Sequence, residues 1–229
     1  MTLAGTSIRI AYRNRSRPLQ LSYLLIFIAL FAYMGGYFLA GQAVVPYDFK
    51  LWPTVAAVFI LLVFAYVFAW FADELARDLG HETYMNREAF FIRGFNIFLL
   101  WLVLDALVFA FYTFLPVWLA SILAFILSIL AVYASAAIAV DGASILASFS
   151  YAWNTIVKNP YHVLEFLVLS FFLLIFVLVL DAYSGFLGVF LSVLIINYVV
   201  LPWLMAHAIL TYLYKYPIVV SSLLKFERS

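Results

Sequence analysis

The chain has 229 residues, of which 69% are hydrophobic and only 10% are charged, and its formal net charge at pH 7 is +1. So few charged residues cannot cover the surface of a water-soluble domain of this size, and the near-neutral balance provides no basic face for nucleic acid. The sequence contains no cysteine, which excludes disulfides, thiolate metal sites and cysteine nucleophiles. The composition predicts an all-α protein whose main partner is the lipid bilayer.

The N-terminal part of the chain combines a basic arm with an apolar run. Residues 1–18 contain four arginines, and residues 19–41 form a run long enough to cross a bilayer of about 30 Å. A basic start before an apolar run is also typical of a signal peptide. The run is longer than the usual apolar region of such a peptide, so we expect an uncleaved anchor.

Five further apolar runs follow, separated by short polar or turn-forming segments. Pro116 separates the third run from the fourth, Gly185 and Gly188 predict a tight turn before the sixth, and Pro202 predicts a kink within it. The predicted fold is a polytopic membrane bundle over residues 19–214, with a cytoplasmic tail over 215–229. Its six transmembrane helices are predicted at 19–41, 54–72, 94–115, 117–140, 161–184 and 186–214.

The segment from Asp141 to Pro160 differs from the spans around it. Asp141-Gly142 ends the fourth run, and Asn159-Pro160 precedes the fifth. Between them, a helical projection places seven apolar residues in one continuous sector and polar residues in the rest. This pattern predicts an amphipathic helix lying in the membrane surface. The residues that define this hinge are Asp141, Gly142, Trp153, Lys158, Asn159 and Pro160.

The distribution of basic residues predicts the orientation. Of the 12 Lys and Arg residues, only Lys50 falls in a connection on the outer side, which leaves eleven on the side of the two termini. Cytoplasmic segments of membrane proteins carry such an excess of positive charge. The sequence therefore predicts a multi-pass protein of the cell membrane with both termini in the cytoplasm.

Three polar side chains are predicted at one depth within the membrane. Counting from the outer ends of their spans, Asp105 lies 10 residues deep, and Ser128 and Asn197 each lie 11 residues deep. Tyr112 shares the helix stripe of Asp105. Because an ionised Asp at the bilayer centre costs about 2.5–3.5 kcal/mol, we expect it to be neutral, paired or hydrated. A structural hydrogen-bond cluster between spans is favoured over a proton or solute relay, since no basic partner accompanies the carboxylate.

Two further titratable residues are secondary candidates. His207 lies in the inner half of the last span and lacks a second ligand at helical spacing, which favours hydrogen-bonded packing over a metal site. Glu165 lies one turn into the fifth span, within reach of water or Lys158. The fourth span also carries small residues at alternating spacings of three and four, from Ser121 to Ser135, which favours close helix packing over a ligand site.

Motifs of the common enzyme classes are missing from the sequence. It contains no zinc-protease His-Glu-x-x-His, no Gly-x-Ser-x-Gly and no phosphate-binding loop. We therefore expect no catalytic activity, no cofactor and no metal. An intramembrane enzyme would need two acid/base groups that face one cavity. The two candidates, Asp105 and His207, are predicted at depths in the membrane that differ by many ångströms.

The hinge residues also resemble the sequence pattern of a known family of membrane proteins. Asp141-Gly142, Ala152-Trp153 and Lys158-Asn159 precede a long apolar run, and Tyr212-Leu213-Tyr214 ends the last one. This layout resembles the membrane domain associated with glycerophosphoryl diester phosphodiesterases and related uncharacterised archaeal membrane proteins. The chain departs from that pattern at Ala152 and Lys158, where Ser and Gly are usual. The resemblance implies a six-span membrane protein, without the phosphodiesterase chemistry, which belongs to a separate soluble domain of that family.

The sequence favours a non-catalytic membrane protein, a structural or accessory subunit that packs against other membrane subunits or against itself. The alternative is a transporter of a small solute, or one coupled to protons, that uses Asp105 and Asn197.

Overall fold

The computed structural model describes residues 5–7, 24–25, 27–28, 51–81, 86–195 and 199–228. All regular secondary structure in these ranges is helical, which confirms the predicted all-α class. The helices discussed below are α1 (Leu51–Asp78), α2 (Arg87–Phe114), α3 (Val117–Asp141), α4 (Ile145–Lys158), α5 (Pro160–Ile195), α6 (Leu201–Leu213) and α7 (Pro217–Arg228).

Three of these helices are long and apolar enough to cross a bilayer: α2, α3 and the part of α1 from Ala57 to Asp78. A fourth candidate consists of α4 and the first part of α5, which meet at an angle of 96°. The helix content and apolarity support a membrane protein, but the described residues do not confirm the predicted count of six spans. The first predicted span, 19–41, lies almost entirely outside them.

The predicted second and third spans lie inside longer helices. Helix α1 continues through its charged last turns to Asp78, and the chain then turns at Gly80, whose φ of +78° suits glycine. Helix α2 begins seven residues before the predicted boundary at 94, because Asn86 caps it: the Asn86 side chain accepts a hydrogen bond from the Ala89 N–H at 2.7 Å. Pro116 makes the predicted turn into α3.

The boundary predicted between the fifth and sixth spans is wrong. Helix α5 runs without a break for 36 residues and passes through both Gly185 and Gly188. A glycine costs a helix only about 1 kcal/mol, which is too little to end one where neighbouring residues favour it. Helix α6 starts at Leu201, directly after the π-helical residues 199–200, and has Pro202 in its first turn. The predicted kink at Pro202 stays a prediction, because residues 196–198 lie outside the described residues.

The bundle has two ends of different character. We call the end that carries Arg77, Arg87, Asp141 and Lys215 the charged end, and the end at Pro116 the apolar end. The buried core lies toward the charged end, where α3 is buried continuously from Tyr133 to Val140 and packs on α1 and α6. Toward the apolar end, α2 and the first half of α3 expose large apolar side chains.

Both termini contribute to the packing, which the predictions of a basic arm and a tail missed. Ser7 is fully buried, and its hydroxyl accepts a hydrogen bond from the Trp203 indole at 2.9 Å. Residues after 215 form α7, whose Val219 and Leu223 are fully buried. Ile218 of α7 lies beside Gly80 in the turn after α1. The charged end is therefore completed by the last helix of the chain.

Candidate functional site: polar clusters at the charged end

The first polar cluster forms around Asp141, the last residue of α3. One carboxylate oxygen accepts hydrogen bonds from the Tyr212 hydroxyl at 2.5 Å and from the Lys215 ammonium at 2.7 Å. The other oxygen accepts one from the Tyr216 hydroxyl at 2.6 Å. Lys215 also donates to the Tyr212 hydroxyl at 2.7 Å. We call Asp141, Tyr212, Lys215 and Tyr216 the Asp141 cluster; it ties the end of α3 to the end of α6.

The ammonium group of Lys215 lies among aromatic rings. It is 3.9 Å from the ring centroid of Tyr212, 4.8 Å from that of Tyr216 and 5.4 Å from that of Tyr151. Such contacts add cation–π attraction to the ion pair with Asp141. Burial, together with the hydrogen bond to Asp141, raises the pKa of the Tyr216 hydroxyl above its usual range, so that it remains a neutral donor.

Arg93 and Gly142 complete the end of α3. The Arg93 guanidinium donates to the carbonyl oxygens of Ala139 at 2.7 Å and Val140 at 3.1 Å, which no later helical N–H can satisfy. Gly142 ends the helix with a φ of +66°, and a β-carbon there would lie 3.3 Å from the Arg93 side chain. The predicted Asp-Gly hinge is thus fixed by both backbone conformation and a close cation.

The hinge then leads into α4, as the sequence predicted. Ser144 caps the helix by accepting from the Ala147 N–H, and Asn159 and Pro160 separate it from α5. The small residues Ser148, Ala152 and Thr155 face the bundle and are buried. Two of these were predicted on the polar, water-facing side. Their hydroxyls bond to carbonyls of their own helix, which allows them to be buried.

Part of the predicted apolar sector of α4 does face outward. Leu146 is 85% exposed and Trp153 is 61% exposed, and Val157 is exposed beside them. Lys158 and Asn154 lie on the adjoining exposed side. Helix α4 therefore has three faces: one toward the bundle, one apolar and exposed, and one polar and exposed, an arrangement that suits a helix at a membrane surface.

A second cluster joins α5 to α6. The Glu165 Oε2 atom lies 3.5 Å from His162 Nδ1 and 3.6 Å from His207 Nε2. We call these residues the His–Glu–His cluster. The sequence had separated His207 from any second His or carboxylate, because it could not show that the start of α5 lies against α6. Even so, among the described residues no group of three His, Cys, Asp or Glu could hold a metal ion.

The predicted intramembrane cluster of Asp105, Ser128 and Asn197 stays a prediction, because only Asp105 and Ser128 belong to the described residues. Asp105 is exposed on α2. Ser128 is exposed on α3, where its hydroxyl donates to the Ala124 carbonyl of its own helix at 2.8 Å. Asn197 lies outside the described residues. Tyr112 contacts Ser121 instead, with 3.0 Å between the two hydroxyl oxygens.

Sequence reasoning identified Asp141 but not its partners. Arg93 was placed in a connecting segment, Tyr212 entered only through the family resemblance, and Lys215 was counted among the basic residues that predict the orientation. The available signal was the Tyr-x-x-Lys-Tyr spacing at the end of the last apolar run, which places Tyr212 and Tyr216 four residues apart on one side of the chain.

No family model, no curated protein and no solved structure matches the chain.

Proposed function

We propose that this protein is a non-catalytic, multi-pass subunit of a membrane complex, which binds a transmembrane helix of another subunit along the exposed face of α2. The single observation that supports this best is the position of Asp105. It is exposed on α2 between the large exposed apolar side chains of Leu102 and Phe109, which lie on the same face three residues before it and four residues after it.

A carboxylate on a lipid-facing helix is costly. At the bilayer centre it costs about 2.5–3.5 kcal/mol, which a protein partner with a suitable donor would offset. Among the described residues no side chain donates a hydrogen bond to Asp105. The predicted spans contain no Lys or Arg at all, so a cation at that depth has to come from another chain.

The charge of Asp105 favours a different subunit over a second copy. Two copies side by side in the same orientation would bring Asp105 against Asp105 at equal depth, and like charges repel. The preferred occupant is a transmembrane helix with a Lys, Arg or Asn at the depth of Asp105. Such polar pairs contribute about 0.6–2 kcal/mol to helix association in membranes.

The proposal places the protein in the cell membrane with both termini in the cytoplasm. The supporting observation is that Arg77, Arg87 and Lys215 all lie at the charged end, together with Lys158 at the end of α4. In this orientation the exposed apolar face of α4 would rest in the cytoplasmic leaflet. The resemblance to the phosphodiesterase-associated membrane domain is part of the same proposal and concerns layout alone.

The experiment is purification in mild detergent with a photo-crosslinking residue at Phe109, which lies four residues from Asp105 and is 74% exposed. We expect one stoichiometric partner that crosslinks at Phe109 but not at Leu146 on α4. Replacement of Asp105 by Leu should reduce its recovery about tenfold, in line with a loss near 1.4 kcal/mol. Ser128→Ala is the matched control, because the Ser128 hydroxyl is already satisfied within its own helix.

Three outcomes would contradict the proposal. Recovery of a monomer alone in several mild detergents would remove the partner, and a crosslink to a second copy would replace it by self-association. Solute or proton flux in proteoliposomes that is lost in Asp105→Asn, with folding intact, would favour the transporter alternative.

A further inference from the structure

A cavity of about 440 Å³ lies at the charged end, between the last turns of α1 and the first turn of α2. Pockets that bind small molecules usually measure about 300–1,000 Å³ and combine apolar walls with a few polar groups. The lining here combines two cations, one carboxylate, one amide and two aromatic rings: Arg77, Arg87, Asp73, Asn86, Trp70 and Phe90. The cavity therefore has the size and the lining of a ligand site.

The cations of this cavity outnumber its carboxylates. The Arg77 guanidinium pairs through Nη2 with the buried carboxylate of Asp73, and the charge of Asp73 also acts on Arg93. Arg87 is exposed, and within the described ranges no carboxylate pairs with it. Asp73 is thus compensated inside the protein, whereas Arg87 and the other N–H groups of exposed Arg77 are available to an anion.

The start of α2 contributes charge of the same sign. Asn86 caps this helix and Arg87 is its first residue, so the positive end of the helix dipole lies at the cavity wall. The acidic residues nearest in sequence among the described ones, Glu74, Asp78 and Glu88, do not line the cavity. Guanidinium groups suit a phosphate in particular, because each can donate two parallel hydrogen bonds to its oxygens.

The aromatic wall of the cavity continues toward the middle of the bundle. The Trp70 and Phe90 rings lie nearly perpendicular, with 6.4 Å between their centroids. One turn further along α1 from the charged end, Tyr66 packs on Phe90 at 5.5 Å and on Phe91 at 6.0 Å. Phe91 is 60% exposed. An occupant with an anionic group and apolar chains would therefore contact both the cations and an exposed apolar surface.

The cavity lies at the ends of two candidate spans, α1 and α2. In the orientation that we propose, these ends are at the cytoplasmic interface of the membrane, where tryptophan side chains such as Trp70 are enriched. Lipid phosphates lie at the same depth, and basic pockets between helices on this side of a membrane suit anionic headgroups.

We propose that this cavity binds the phosphate group of an anionic phospholipid. Arg87 and Arg77 donate hydrogen bonds to the phosphate oxygens, and the acyl chains lie against Phe90 and Phe91. A headgroup without an amine is preferred, because an ammonium group would meet the two guanidinium groups. The site rests on the proposed membrane location but not on the partner subunit at Asp105.

Native mass spectrometry of the full chain in a non-ionic detergent tests the proposal. The protein is titrated with dioleoyl phosphatidylglycerol and, separately, with dioleoyl phosphatidylcholine, which has the same acyl chains and a cationic headgroup. We expect the Kd of phosphatidylglycerol to be lower by about tenfold or more. Arg87→Gln should raise that Kd about tenfold, the size of effect expected for one charge-assisted hydrogen bond, and should leave phosphatidylcholine unaffected.

The matched control is Lys158→Gln. It also removes one exposed cation at the charged end, but Lys158 does not line the cavity. We expect it to change the Kd of phosphatidylglycerol by less than about twofold, because exposed charges act through solvent that screens them. If Arg87→Gln does not fold, Arg87→Lys keeps the charge and loses the paired donors, and it should weaken binding more than Lys158→Gln does.

Soluble phosphates distinguish a lipid from a free anion. Inorganic phosphate and glycerol 3-phosphate carry the same oxygens without acyl chains, so neither should displace the bound lipid. Displacement at concentrations similar to that of the lipid would make the cavity a site for a soluble phosphate and would overturn the proposal.

Two further results would overturn it. One is equal affinity for the two lipids. The other is equal weakening by Arg87→Gln and Lys158→Gln, which would indicate general attraction between a basic surface and an anionic lipid. The crosslink at Phe109 is a separate measurement, so failure of lipid binding with that crosslink intact would reject this site alone.

Discussion

The helices pack differently at the two ends of the bundle. At the charged end, helices are held by continuous burial of α3 and by hydrogen bonds from Arg93, Tyr212 and Lys215 that meet at the end of that helix. At the apolar end, α2 and α3 meet near one turn and expose large side chains. The comparison indicates that the charged end determines stability and the apolar end is available for contact with lipid or protein.

The largest expected effect comes from the buried core. Phe71→Ala should destabilise the protein by about 3–5 kcal/mol, because Phe71 is fully buried and the cavity would lose dispersion contacts. Phe109→Ala makes the same chemical change on the exposed face and should cost less than about 0.5 kcal/mol. Reversible unfolding in detergent measures both. Similar losses in the two variants would contradict the proposed difference between the ends.

The Asp141 cluster should give the next largest effect. Asp141→Ala leaves the hydroxyl of buried Tyr212 and the ammonium of Lys215 without their acceptor, and we expect a loss of about 2–3 kcal/mol. Asp141→Asn, which keeps one acceptor oxygen, should lose less. The same unfolding measurement applies, with Ser128→Ala as the control. An Asp141→Ala variant as stable as the wild type would show that the cluster does not hold α3 to α6.

The hinge should respond more weakly. Gly142→Ala places a β-carbon on a residue with φ of +66° and within 3.3 Å of the Arg93 side chain, so we expect a loss of about 1–2 kcal/mol. Gly142→Asn meets the same side chain but tolerates this backbone conformation better. A smaller loss for Asn than for Ala would assign the effect to φ, and equal losses would assign it to Arg93.

The surface helix offers a test with almost no effect on stability. Because the chain has no cysteine, single-cysteine variants can be spin-labelled without background. A label at Leu146 should collide with oxygen dissolved in lipid, and a label at Asn154 with a water-soluble relaxation agent, since α4 exposes an apolar and a polar side. Equal access of both labels to the aqueous agent would place α4 away from the membrane.

The sequence predicted features that depend on local chemistry. The turn at Pro116, the Asp141-Gly142 hinge and the amphipathic character of α4 follow from backbone preferences and side-chain periodicity, and the structure has all three. The predicted turn at Gly185 failed because a glycine weakens a helix without ending it. The sequence did not predict the short helix α7, because the turn at Gly80, on which it packs, lies in a distant part of the chain.

The polar clusters could be predicted only in part, because they depend on contacts between distant parts of the chain. The prediction that Asp105, Ser128 and Asn197 lie together rests on their depth along the spans, and depth does not specify the direction in which a helix face points. His207 was paired with Glu165 only by the approach of α5 to α6, and Asp141 meets residues more than 70 positions later.

The packing of α7 on the Gly80 turn sets the order in which the protein can be completed during synthesis. The first helical hairpin is translated long before Val219 and Leu223 exist to cover it, and the donors to Asp141 also emerge near the end of translation. Until the ribosome releases the chain, the turn at Gly80 and the carboxylate of Asp141 at the charged end would lack these partners. Premature termination just before Lys215 would therefore yield an inserted protein whose charged end is not covered by α7, and we expect membrane proteases to degrade it.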